Sequence, residues 1–139
     1  MNIRNCVKGD LSSVIKLIQL TNLYWEVSDT EAACDKKLQH DPESILVLEE
    51  DNKIIGAVFF IYDPWISTMW HLVIQPEYQG RHLASFLADE AERRLKARGT
   101  TSIVGYVLPT NTRSLRFLKR RGYEIWTNDL VTPVAKILK

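Results

Sequence analysis

Apolar positions recur along this chain with two different periods, and the changes between them mark out the elements. Leu11, Val14, Ile15, Leu17 and Ile18 stand three and four residues apart, which predicts a helix with one buried face running from a cap at Asp10 to about Asn22. Ahead of it, residues 2–7 read as a short strand ended by Lys8-Gly9-Asp10. Ser28-Asp29-Thr30-Glu31 has capping-box spacing and predicts a second helix to about His40, closed by Asp41-Pro42. The apolar runs 45–48 and 54–61, joined by the polar turn Asp51-Asn52-Lys53, predict a hairpin. A third β-rich run, residues 66–74, follows Asp63-Pro64 and is expected to pair antiparallel with the second.

The longest periodic segment is carried by Leu83, Phe86, Leu87, Ala91 and Leu95. It predicts a helix to Arg98, with Lys96 and Arg98 at its negative end and Gly99 as a left-handed stop. Residues 102–107 read as a strand and residues 111–121 as a helix ended by Gly122. Residues 123–126 and 131–138 are expected to close the sheet as a terminal hairpin, which also offers an edge for a homodimer. The expected class is α/β in the α+β sense: a mixed, mostly antiparallel sheet of six to seven strands with about four helices. One domain over residues 1–139 is expected, because a chain of this length builds a single core.

Composition narrows the partners. With 18 basic and 17 acidic residues the net charge is +1, so no global field draws the chain to nucleic acid or an anionic membrane. Two cysteines, Cys6 and Cys34, make neither a disulfide framework nor a metal knuckle, and reduced thiols suit a cytoplasmic protein. No metal site is expected. The amino terminus has no basic segment leading into a long apolar run, so no secretory leader is expected, and no stretch approaches the ~18 apolar residues of a membrane span.

The segment richest in chemistry passes from the apolar run Leu72-Val73-Ile74 through Gln75-Pro76-Glu77-Tyr78-Gln79-Gly80-Arg81-His82 into Leu83 and Ala84. A strand that delivers a tight turn onto a helix start presents unpaired N–H groups at the positive end of the helix dipole, where phosphate binds well. Gly80 permits close backbone approach, Arg81 supplies a cation, and Ala84 is small enough for a ligand to lie on the first turn.

These residues carry a family resemblance. The string from Val73 to Ala84 resembles motif A of the GNAT acetyltransferase superfamily, Gln or Arg, two residues, Gly, one residue, then Gly or Ala, with Gln79 and Ala84 at the outer positions. Residues 111–124, an Asn opening a helix that ends in Gly and an aromatic residue, resemble the family's later motif. The likeness extends over nearly the whole chain and is nearest to small bacterial members of the YpeA type. It implies an acetyl-coenzyme A site and transfer to a primary amine of a small molecule, an amino acid derivative or a protein. It also implies that the fourth and fifth strands splay apart. Under that resemblance the amides of Gly80, Arg81, His82, Leu83 and Ala84 would hold the pyrophosphate. Leu72, Val73 and Ile74 would meet the pantetheine arm by strand addition, and Asn111 would sit near that arm. Two positions depart from the pattern: His82 stands where the family has Gly, and Leu118 where many members have a Tyr that protonates the leaving thiolate.

An ammonium group, with a pKa of about 10.4, must lose a proton before it attacks a thioester, so a base or a water chain is required. His71 and Tyr106, which would flank the splay, are the candidates to take or relay that proton. Direct attack in a ternary complex needs no covalent enzyme intermediate, and so neither cysteine is required. Tyr24, Trp25 and Glu26, with Tyr62, Trp65 and Trp70, are candidates to line the acceptor side, Glu26 facing an acceptor cation. Two rivals remain beside the transferase: an acyl-coenzyme A binding or sensing domain without catalysis, and an interaction module of the same shape with no cofactor.

Overall fold

A computed structural model describes residues 1–126 and 134–138. They fall into two compact units, Met1–Tyr106 and Val107–Lys139. The first contains strands β1 (Asn2–Asn5), β2 (Ile45–Glu50), β3 (Lys53–Ile61), β4 (Ser67–Ile74) and β5 (Ile103–Gly105), with helices α1 (Leu11–Ile18), α2 (Glu31–His40) and α3 (Leu83–Ala97). The second contains α4 (Thr112–Arg120). The strands lie in chain order, β1 to β4 antiparallel, with β5 parallel to β4. This is the expected mixed, mostly antiparallel α/β fold, with four α-helices among the described residues.

The strand β3 is apolar without alternation because both of its faces are covered. Ala57 and Phe59 join Ile45, Val47 and Val73 in a core beneath α1 and α2, together with Leu11, Val14, Ile18 and Leu38. The alternate residues Val58 and Phe60, with Leu46 and Leu48, are buried on the opposite face. There α3 packs on β2, β3 and β4, with Leu87, Ala88, Ala91 and Leu95 buried.

Several boundaries differ from the sequence reading, each for a local reason. Helix α1 stops at Ile18 rather than near Asn22, because Thr21 turns back and its hydroxyl donates to the Ile18 carbonyl at 2.7 Å. Thr30, not Ser28, caps α2, its hydroxyl accepting from Ala33 N–H at 3.1 Å. Asp10 does not cap α1 with its side chain; the carboxylate accepts from Val7 N–H at 2.9 Å and from the Arg4 guanidinium at 2.7 and 3.0 Å. Gly99, with φ +99°, does end α3 as a left-handed stop. Five strands stand among the described residues against the six to seven expected. Residues 123–126 and 134–138 carry no strand, and residues 127–133, the middle of the expected terminal hairpin, lie outside the described residues.

Candidate functional site

The parallel ladder between β4 and β5 is short. It pairs Ser67 with Ile103, Thr68 with Val104 and Met69 with Gly105, and ends there, while β4 runs on through Trp70 to Ile74. The paired end is pinned. Ser67 N–H donates to the Ser102 carbonyl at 3.2 Å, Ser67 Oγ lies 2.6 Å from Thr100 Oγ1, and the Tyr62 hydroxyl donates to the Arg98 carbonyl at 2.8 Å. Beyond Met69 the β4 edge therefore offers main-chain groups to an extended ligand arm, the arrangement that strand addition uses.

A bulge re-aims β4 at the point where the ladder stops. Ala57 pairs with Val73 and Phe59 with Trp70, so His71 and Leu72 together oppose the single residue Val58. His71 takes φ +50°, a left-handed value uncommon outside glycine. The extra residue breaks the usual alternation, and Trp70 and Val73 both pack toward the α1–α2 core. The His71 ring stands edge-on to Phe59, with centroids 5.2 Å apart, and beside Trp70 at 6.1 Å. Its Nε2 lies 3.1 Å from Asp29 Oδ1, and its Nδ1 is buried with no hydrogen-bond partner. Asp29 also accepts from Trp25 N–H at 2.7 Å, which ties the segment between α1 and α2 to the bulge. Sequence reasoning took Asp29 only as part of a capping motif; a carboxylate not consumed by the cap was the one signal available.

At the other end of β4 the chain enters a short 3₁₀ turn, Pro76–Tyr78, and then the loop leading to α3. The Gln79 side chain donates to the Ile74 carbonyl at 3.1 Å, bracing the strand end. Gly80 has φ +84°, and a Cβ there would meet nothing within 4 Å, so the backbone is open to close approach. His82 has φ +60° and ψ 21°, a left-handed backbone that glycine takes without strain, and it precedes the first turn of α3 with no side-chain cap. The first helical acceptor is the His82 carbonyl, reached by Phe86 N–H at 3.2 Å. The N–H groups of Leu83, Ala84 and Ser85 lie ahead of that bond, and no acidic residue stands in the first turn to compensate the dipole. Arg81 lies with its guanidinium 5.7 Å from the Tyr78 ring centre and 3.3 Å from Glu50, half exposed at the loop.

The other predicted residues divide. Tyr106 follows β5 and stacks on Trp70 at 4.7 Å, 46% exposed. Tyr24 is half-buried against the α1–α2 core, whereas Trp25 and Glu26 are exposed. Tyr62 and Trp65 are not brought to this group: Tyr62 is bound at the pinned end, under the Arg98 guanidinium at 5.2 Å, and Trp65 is 78% exposed. In the second unit Asn111 caps α4, its Oδ1 accepting from Ser114 N–H at 3.2 Å, and Leu118 lies on that helix. Burial pushes the Cys6 and Cys34 thiols up to about 12 and about 11, so neither is a thiolate nucleophile near neutral pH. Among the described residues no cluster of three or more His, Cys, Asp or Glu could hold a metal ion, and no helix is long and apolar enough to cross a membrane.

A mixed sheet in which a bulged β4 runs on past a short parallel β5, with a glycine-bearing loop feeding a helix start, is an architecture of the acetyltransferase (GNAT) class. Residues 14–123 match the acetyltransferase (GNAT) family, and the chain belongs to it. It is 32% identical over all 139 residues to an acetyltransferase of Pectobacterium atrosepticum, spanning 97% of that protein. It is also 32% identical over 131 residues to an uncharacterized N-acetyltransferase of Yersinia pestis, 94% of this chain and 92% of that one. The fold is shared with Ard1 from Thermoplasma volcanium (TM-score 0.81, 19% identity, 91% of this chain and 84% of that one). It is shared also with the PaiA N-acetyltransferase of Thermoplasma acidophilum solved in complex with coenzyme A (TM-score 0.77, 19% identity, 90% of each chain).

Proposed function

We propose that this protein transfers an acetyl group from acetyl-coenzyme A to a primary amine by direct attack in a ternary complex. The observation that carries the reading is the end of the β4–β5 ladder at Met69 and Gly105, with β4 continuing to the open loop before α3. The residues fit a coenzyme A diphosphate: Gly80 leaves space, Leu83, Ala84 and Ser85 present N–H groups ahead of the first helical bond, and the helix end lacks acidic residues. His82 adopts a left-handed backbone open to glycine as well, and it still offers its backbone N–H to the phosphates. Leu72, Val73 and Ile74 supply the strand edge for the amide-bearing arm, and Arg81 supplies charge near the phosphates. The PaiA structure named above is a coenzyme A complex of the same fold, which supports the choice of cofactor.

In the reaction the amine nitrogen adds to the thioester carbon, the C–S bond breaks and the thiol leaves. The chain's part is to hold the acyl carbon beside the bulge and to take the ammonium proton. His71 is the proton acceptor of this reading and Tyr106 the second candidate. Trp25 and Glu26 border the acceptor side, an aromatic and an acidic group that favour a cationic acceptor. Leu118 favours one alternative, acyl-coenzyme A binding without transfer, since its side chain carries no proton for a departing thiolate.

Calorimetry with acetyl-coenzyme A and a thiol-release assay over a panel of amines test the two readings together. Micromolar binding with thiol release is expected. Binding without release across the panel would favour the sensing reading, and unchanged binding after Gly80→Pro or Ala84→Glu would remove the site from this loop.

A further inference from the structure

The geometry points to Asp29 as a positioning residue for the transfer reaction, which acts through His71 by fixing its tautomer and leaving Nδ1 as the base. The inference rests on the transferase reading above. Both side chains are nearly enclosed, His71 at 5% exposure and Asp29 at 12%. A carboxylate only accepts, so in neutral His71 the proton sits on Nε2, 3.1 Å from Asp29 Oδ1, and Nδ1 carries the lone pair. Nδ1 is the buried atom without a partner, an unsatisfied acceptor on the strand residue where the β4–β5 ladder has just ended. A buried polar atom left without a partner is costly to the fold, and such an atom calls for an explanation.

Asp29 is not engaged in holding α2. Thr30 caps that helix through Ala33 N–H, and the Asp29 carboxylate turns instead to Trp25 N–H and to His71. Phe59 stands edge-on to the imidazole and Trp70 is tilted beside it, while Asp29 is the hydrogen-bond partner that fixes which ring nitrogen carries the proton. Nδ1 is enclosed at rest, so the step that follows requires the ring to be uncovered when the acceptor binds, with a water then bridging the acceptor ammonium to Nδ1. An N–H bond of the ammonium breaks, an Nδ1–H bond forms, and the imidazolium charge faces Asp29. The freed amine lone pair attacks the acyl carbon and the C–S bond breaks; the proton that the nitrogen loses as the amide forms goes to the departing thiolate, which leaves as thiol, and the imidazolium returns its own proton to solvent.

The test uses Asp29→Asn in the full chain. Trp25 N–H requires an oxygen at its side, so the new amide turns its NH₂ group to His71 Nε2 and drives the proton to Nδ1. Long-range ¹⁵N–¹H correlation spectra of the His71 ring, recorded where the ring is neutral, are expected to show Nε2–H in the parent and Nδ1–H in the variant. With the best amine from the panel, kcat is expected to fall ~10²–10⁴-fold while acetyl-coenzyme A binding by calorimetry stays within about twofold. In a His71→Ala background, Asp29→Asn is expected to add no further loss, since it acts only through that ring. An Nδ1–H tautomer in the parent overturns the proposal, as does an inverted tautomer with unchanged kcat, or an additive loss in the double variant. Lack of turnover by the parent on every amine would instead strike the transferase reading, while the ring spectra would still decide the Asp29–His71 arrangement.

Discussion

Tyr106 stacks on Trp70 with ring centres 4.7 Å apart and planes inclined by 28°, immediately beyond the last β4–β5 pair, Met69 with Gly105. The two rings sit where β5 ends and β4 runs on. The contact separates two roles for Tyr106, since Phe keeps the ring and loses the hydroxyl. Tyr106→Phe is expected to leave thermal stability and kcat close to the parent, because His71 takes the proton. Tyr106→Ala is expected to cost about 0.5–1.5 kcal/mol by denaturant unfolding. A large drop in kcat for Tyr106→Phe alone would transfer the proton-carrying role to the tyrosine.

His82 holds φ +60° at an exposed position before α3. A left-handed backbone costs a non-glycine residue roughly 1–2 kcal/mol, and glycine's greater unfolded-state freedom returns part of that. His82→Gly is expected to stabilise the protein by ~0.5–1 kcal/mol, seen as a rise in Tm. It is also expected to tighten coenzyme A binding through easier backbone approach, measured by calorimetry. A fall in Tm would mean that the His82 side chain makes a stabilising contact outweighing the backbone strain.

A Cβ on Gly56 would stand 2.8 Å from Ile74 Cδ1, 3.1 Å from Leu87 Cδ1 and 3.2 Å from the Val73 carbonyl oxygen. The last of these is backbone on β4, the strand proposed above to meet the cofactor arm. Gly56→Ala is expected to destabilise the fold by about 1–3 kcal/mol, because a methyl must push β4 or α3 outward. Cofactor affinity is expected to fall with it, whereas Gly80→Ala, with nothing within 4 Å of the new methyl, pays only for its left-handed backbone.

The Arg98 guanidinium, bonded to Asp41 at 2.7 and 2.9 Å, holds that carboxyl below the usual range. A carboxylate lowered in the folded state adds stability above its unfolded pKa, and this is lost as pH falls through the folded value. Arg98→Ala is therefore expected to move the acid-unfolding midpoint to higher pH. Lys37 runs in the opposite range: burial pushes its amine down to about 8, beside the Phe60 carbonyl that it donates to. Between about 8 and the unfolded value near ~10.4, the unfolded chain binds more protons, so stability rises with pH across that window. Lys37→Met is expected to flatten this rise in denaturant midpoints measured from pH 7 to 10.5.

The local code of this chain was enough to place β1 to β5 and α1 to α4 in order, although the strand it announced over residues 123–126 is not formed. Three- and four-residue spacing announced α1 and α3, the apolar runs on either side of Asp51-Asn52 announced β2 and β3 as a hairpin, and Gly99 and Gly122 marked helix ends; all of these depend on neighbours within a turn or two. The loop between Ile74 and Leu83 was legible for the same reason, since a glycine and a helix start lie in one short stretch. Tertiary structure alone decided what depends on residues far apart in sequence. Register between β3 and β4 placed the bulge at His71, since an extra residue on one strand is defined only by its partner, Val58. Asp29 met His71 across 42 positions of chain, and Tyr62 went to Arg98 instead of the aromatic group around Trp70. A side chain's direction in a sheet follows from pairing, and pairing is a property of two strands, which no single stretch of sequence contains.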